Sequence, residues 1–198
     1  MPDKLQQTAA PATTPVSRDE AKAHLNIAST DTTWDTFIDT LLQSATDYAE
    51  ERTRKAVITQ TWIRYLNAFP SSIIEIPKPP LQSVSSITYI DTAGDVQTWA
   101  AANYDVDIRS EPGTVNVKTD FSYPSTKVIP NAVLITFVAG YGTAGSDAPA
   151  LLISTIKLII AHLFDNREMV STMGTPAQIP FPNGIERLLD QYSLREFV

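Results

Sequence analysis

The stretch Pro149–Val170, PALLISTIKLIIAHLFDNREMV, decides the fold. Helical phase gathers Ser154, Lys157, Asp165 and Glu168 into one narrow stripe with Ala161 among them. Leu151, Leu152, Ile153, Ile156, Leu158, Ile159, Ile160, Leu163 and Phe164 fill most of the remaining circumference. So wide an apolar arc needs neighbours on two or three sides. Burying each large side chain is worth about 1.5–3 kcal/mol, so leaving such a helix half exposed forfeits on the order of ten kcal/mol. A central helix is expected, or one shared with another subunit.

Upstream of this helix the period is two rather than 3.6. Ile58–Leu66, Ser72–Ile76, Val84–Ile90, Val96–Trp99, Tyr104–Ile108, Thr114–Val117 and Ala132–Val138 are short, rich in β-branched and aromatic residues, and bounded by turn signals. Asp91–Asp95 (DTAGD) and Glu111–Gly113 (EPG) read as hairpin connections. Strands so close together leave no room for crossover helices, so a mainly antiparallel sheet is expected. Pro77-Lys78-Pro79-Pro80 cannot donate to a ladder and reads as an extended edge or a corner. Gly140, Gly142 and Gly145 break the last strand before the central helix.

Further upstream, Ser17 and Glu20 form a capping box opening a short helix that ends near Leu25 to Ile27. Asp31 is expected to cap a longer helix, Thr32 to Arg54, with Trp34, Phe37, Ile38, Leu41, Leu42, Ala45, Tyr48 and Ala49 on one buried face. Acids lead it and bases close it, complementing the helix dipole. Its Asp35, Asp39, Gln43, Asp47 row repeats a like charge at one-turn spacing and reads as a solvated face, or one lining a channel or meeting a basic partner. Downstream, Ser171–Pro182 reads as a loop. A final helix, Ile185 to Leu194, is too short to be stable undocked.

The order helix, helix, strands, helix, helix implies α+β: a small helical bundle with an inserted, mainly antiparallel β domain. The expected divisions are a flexible tail at 1–15, bundle helices at 16–56, the β insert at 57–145, and the central helix with a C-terminal docking segment at 146–198. The chain of 198 residues carries net charge −7 with its cations scattered, which argues against a groove gripping nucleic-acid backbone. It has no cysteine, so disulfide and thiolate-metal chemistry are closed to it. The apolar run is too interrupted to span a bilayer and no hydrophobic signal core leads the chain, so a soluble protein is expected.

The inventory for catalysis is thin. His24 and His162 both fall in helices without a metal-binding pattern, and read as structural or surface histidines. Asp105 and Asp107 share one strand face, most simply its solvent side. No Gly-x-Ser-x-Gly elbow is present, and Phe137–Gly142 lacks phosphate-loop spacing. A hydrolase built on Asp105, Asp107 or His162 would lack any site pattern, so no catalytic, metal or cofactor residue is expected. Trp62, Tyr65, Tyr89, Trp99 and Tyr104 lie on strands without interleaved cations, and read as sheet core or interface rather than base-stacking platforms.

Taken in order, Ile58–Trp62 (ITQTW), Ile74–Val84 (IEIPKPPLQSV), Ile87–Asp91 (ITYID), Tyr104–Asp107 (YDVD), Glu111–Gly113 (EPG) and Phe137–Gly142 (FVAGYG) resemble the head-to-tail connector (adaptor) proteins of tailed bacteriophages and prophages. The Ser17–Leu25 helix, the long acidic-to-basic helix and His162–Glu168 match as well, so the resemblance spans Val16 to Tyr192. Each motif alone is strand-and-turn chemistry; order and spacing carry the specificity. The tail at 1–15 has no counterpart.

The resemblance implies a structural virion protein, not an enzyme. It would assemble as a ring, typically of twelve copies, under the portal vertex, extending the DNA channel and joining head to tail. The implied partners are other copies of itself, the portal protein, the next neck or tail-completion protein, and genomic DNA passing without specific binding. No membrane partner is implied. The implied location is the virion neck, after synthesis in the host bacterial cytoplasm. In related adaptors the C-terminal segment contacts the portal, which makes Phe181, Ile185, Leu188, Leu189, Tyr192 and Phe197 candidates for a portal or subunit interface. Packing of Ile185, Leu188 and Leu189 on their own bundle is an equal alternative. Asp35, Asp39 and Asp47 are candidates for a channel-facing or merely solvated acidic face. The competing function is a β-rich binding module of the tail or baseplate, recognising another virion protein or a glycan through exposed strand aromatics such as Trp99 or Tyr104.

Overall fold

Ordered structure starts within the stretch expected to be a tail. Lys4–Ala9 forms strand β1, antiparallel to β2 (Gln60–Leu66), with register from Lys4↔Tyr65 to Ala9↔Thr61. Its sequence, KLQQTA, has no apolar alternation to signal a strand. Polar pairing holds it instead: Gln7 Nε2 donates to Gln60 Oε1 at 2.6 Å, and the Tyr65 hydroxyl donates to Gln6 Oε1 at 2.6 Å. The computed structural model describes residues 4–166, 170–171, 177–178 and 183–194. They are α+β, and the chain divides into two compact units, Met1–Ala12 with Ile58–Thr143, and Thr13–Val57 with Ala144–Val198.

The first unit is built on two antiparallel sheets rather than one. Strands β3 (Ile74–Ile76), β4 (Leu81–Ile90), β5 (Val96–Thr98), β6 (Tyr104–Asp107), β7 (Gly113–Val117) and β8 (Val133–Ala139) fall on the predicted segments. The larger sheet runs β1-β2-β8-β4-β5 and the smaller β3-β7-β6. Pro77–Pro80 is the corner between them, leading from β3 into β4. In β8 the alternation is strict: Val133, Ile135, Phe137 and Ala139 are fully buried while Leu134, Thr136 and Val138 are half-buried. Such a pattern marks the sheet's middle strand, packed hard on one face. Gly140, at φ +129, ends it where a Cβ would meet the Ile58 carbonyl at 2.6 Å.

An aromatic cluster joins elements of both sheets. Phe69 lies 5.0 Å from Tyr123 in a stacked geometry and 5.4 Å from Trp99 edge-on, and Trp99 lies 4.8 Å from Tyr104. The Tyr123 hydroxyl donates to Ser72 O at 2.7 Å, so the polar end of this ring is satisfied.

The second unit is helical. The capping box forms as expected at α1 (Arg18–His24): Ser17 N donates to Glu20 Oε2 at 2.9 Å and Glu20 N donates to Ser17 Oγ at 3.3 Å. The long helix α2 is Asp35–Thr53 and starts later than predicted. Asp31 does not cap it; its Oδ1 accepts from Thr33 N at 2.9 Å, closing a local turn ahead of the helix. Ile38, Leu41, Leu42, Ala45 and Ala49 form its buried face. The central helix α3 is Ala150–Asp165 and packs on α2, on α1 and on α4 (Asn183–Asp190). Within the predicted 171–182 loop, Ala177–Gln178 (β10) pairs antiparallel with Val170–Ser171 (β9). Gly145 precedes α3 where its missing side chain leaves space for the Pro15 backbone.

The burial of α3 differs from its sequence reading. Leu152, Thr155, Ile156, Ile159 and Ile160 are buried, but Leu151 and Leu158 are 39 % and 42 % exposed. Lys157, expected in the solvent stripe, is drawn down onto Glu20 Oε1 at 3.2 Å. Its open meridian therefore runs through Leu151, Ser154, Leu158 and Asp165.

Candidate functional site

Among the described residues no group of three or more His, Asp or Glu converges in a way that could hold a metal ion. Asp105 and Asp107 share the exposed face of β6, as alternation predicts. Asp105 sits 3.6 Å from Lys118 Nζ. The Arg109 backbone N–H, donating at 2.8 Å, is the chief reason the Asp107 carboxyl lies below its ordinary 3.8. That is turn chemistry; a general acid needs its pKa raised, not lowered. His24 is exposed at the end of α1. At the end of α3, Asn166 Nδ2 lies 3.4 Å from His162 Nδ1 and donates to the His162 carbonyl at 2.9 Å, which closes that helix.

The acidic row on α2 is not the uniform solvated face its spacing suggests. Arg18 donates from Nε to Asp39 Oδ1 at 2.7 Å, from Nη2 to Asp39 Oδ2, and from Nη1 to Asp35 Oδ2 at 3.3 Å. Lys22 Nζ approaches Asp35 Oδ1 at 2.5 Å and also donates to Ser29 O at 3.3 Å. The Arg18 hydrogen bond is the largest reason the Asp39 carboxyl sits below its ordinary 3.8. Two of the three candidate acids are thus neutralised by α1. Asp47 stays exposed and accepts a local bond from Gln43 Nε2 at 2.8 Å. Arg18 and Lys22 were missed as site residues; the signal was two aspartates one turn apart, a spacing that invites a cation from a neighbouring helix.

Of the C-terminal candidates, Ile185 and Leu189 are 5 % and 0 % exposed, packed within their own unit where α4 meets α3 and α2. Leu188 and Tyr192 are half-buried. Phe181 and Phe197 lie outside the described residues. Arg52 Nη2, 2.6 Å from Asp190 Oδ1, and Leu194 N, donating to Thr53 O at 3.3 Å, tie this segment to the end of α2.

Trp99 and Tyr104 are only 4 % and 6 % exposed, inside the aromatic cluster, where burial raises the Tyr104 hydroxyl above its ordinary 10.0. A binding module that reads a ligand through these two rings is therefore excluded by their position. Two uncharged surfaces do stand open on the helical unit. One is the Leu151, Ser154, Leu158 ridge of α3. The other is a shallow concavity at the start of α2, lined by Thr33, Trp34, Thr36, Phe37 and Thr40. Its floor is stiffened by aromatic contacts, Trp34 to Phe164 at 5.6 Å and Phe37 to Phe164 at 5.9 Å.

Comparison with protein-family models and with curated proteins gives no match. Solved structures do match, over 98 % of this chain and 97 % of theirs. They are chains of the virion of a native gene transfer agent (GTA) particle, with TM-score 0.78 and 22 % identity, and of the neck of an empty GTA particle computed with C6 symmetry, with TM-score 0.79 and 21 % identity. A third is from the neck of a native GTA particle computed with C12 symmetry, with TM-score 0.73 and 22 % identity. The fold is shared end to end. The likeness takes in both units and the β1 strand that sequence patterning leaves out.

Proposed function

We propose that this chain is a non-enzymatic structural protein of the neck of a tailed, phage-like particle, a connector (adaptor) subunit that repeats as a ring under the portal and joins head to tail. The observation that carries the reading is the end-to-end likeness, across 98 % of the chain, to chains of particle necks computed with C6 and C12 symmetry. The acidic balance of −7 suits a channel wall past which DNA must slide, with Asp47 the candidate acid that α1 does not neutralise. At the C-terminal end, Leu188 and Tyr192 keep the exposure a portal contact needs, whereas Ile185 and Leu189 hold α4 in place.

The test is electron microscopy of particles made without this chain. Filled or leaking heads beside complete, unattached tails are expected. Joined particles of normal appearance would overturn the reading.

A further inference from the structure

We infer that the α3 ridge of one copy seats in the α2 concavity of the next, and that this contact closes the ring; the inference rests on the neck-ring reading above. Closed rings are built from heterologous contacts, in which two different patches of the same chain meet. The helical unit carries two such patches. Leu151 and Leu158 project from α3 seven residues apart, about 10.5 Å along the axis, with exposed Ser154 between them. The concavity runs along α2 from Trp34 to Thr40, six residues or about 9 Å, so ridge and recess match in length. Phe164, which backs the recess, lies about 120–140° around α3 from the two leucines at 100° per residue. The patches therefore face different ways and cannot meet within one copy, yet can meet between successive copies.

Charge selects the occupant. Copies that each carry −7 repel one another overall, so a contact between them is least opposed where the touching surfaces bring no further acid together. None of the eight side chains on ridge and recess is charged. On the same stretch of α2 as the recess, Asp35 and Asp39 are neutralised by Arg18 and Lys22. A nucleic-acid or strongly charged protein partner would find nothing here to pair with. A second copy finds on the first both the knob and the hole. This also accounts for the exposed leucines of a helix whose arc is too apolar for the neighbours it has.

The chain has no cysteine, so a Leu158→Cys, Thr36→Cys double variant carries only the reporting pair. Particles assembled with this full-length variant are treated with a bifunctional maleimide and run on a denaturing gel. A ladder of covalent multimers is expected from the double variant, with each single variant monomeric. Monomer from a particle that contains the protein overturns this contact while leaving the neck reading intact, and dimer from Leu158→Cys alone overturns it in favour of ridge meeting ridge. Absence of the wild-type chain from particles removes the neck reading and this contact together. As a second measurement, Leu158→Glu should keep the melting temperature of the purified chain but cut its incorporation into particles roughly tenfold or more, the loss expected from one disabled central contact. Unchanged incorporation overturns the inference.

Discussion

Lys22 Nζ lies 2.5 Å from Asp35 Oδ1 with only 2 % of the lysine exposed, so one buried cation relies on one half-exposed carboxylate. The two ends of such a pair are not equivalent. Replacing Asp35 by Ala strands a buried charge and should cost about 3 kcal/mol or more, whereas Lys22→Met replaces the cation by a side chain of similar volume and should cost far less. Denaturant unfolding midpoints of the two variants check this; equal losses would mean that the pair is not desolvated.

The Arg18, Asp39 and Ser17, Glu20 contacts predict an acid limit. Arg18 holds the Asp39 carboxyl below its ordinary 3.8, and the Ser17 backbone N–H is the main reason Glu20 sits below its ordinary 4.5. Because the folded values are depressed, this contribution is fully present above the unfolded values and is lost as pH falls through the folded ones. Both sites are exposed enough for solvent to screen them, so the expected effect is a modest slope rather than a collapse. Melting temperature should be flat from neutrality to about pH 5 and fall below it. Asp39→Asn with Glu20→Gln should flatten that fall.

Trp99→Ala removes a ring that touches Phe69, Tyr104 and Tyr123 and should cost about 3–5 kcal/mol. The loss should appear together in near-ultraviolet circular dichroism and in the urea midpoint. A stable variant with altered binding would revive a reader role for this ring.

On the connector reading proposed above, the C-terminal helix separates anchoring from contact. Leu189→Ala empties a fully buried site and should cost about 2–5 kcal/mol. Leu188→Glu with Tyr192→Ser alters half-exposed positions and should leave the melting temperature nearly unchanged while weakening attachment to heads. Equal attachment would remove the portal role from α4.

Gly145→Ala places a methyl group against the Pro15 backbone, which has no flexible side chain to give way. A loss of about 1–3 kcal/mol is expected in thermal unfolding.

What the sequence makes legible is what burial writes into it. Val133, Ile135 and Phe137 alternate because one face of β8 is sealed, so strands and fold class could be read directly. Ser17 and Glu20 announce α1 because a capping box is local chemistry. β1 stayed hidden because Gln6 and Gln7 are held by cross-strand amide and hydroxyl bonds that leave no hydrophobic period. The division into two sheets was hidden too, since each strand carries the same alternation whichever sheet it joins. The α2 start was misplaced because Asp31 caps a turn as readily as a helix. On α3, composition could tell that Leu151 and Leu158 are apolar, but not that the fold leaves them 39 % and 42 % exposed.

The order β1-β2-β8-β4-β5 has a consequence for how this chain is made. β2 and β4 never pair with each other; each waits for β8, which occupies the slot between them. On the ribosome, both strands emerge with an open edge and keep it until Ala139 has been synthesised. Until then each edge is a template for a strand of any neighbouring chain. The chain is thus most exposed to mispairing while it is being translated, and slowing translation ahead of β8 should convert folded product into aggregate.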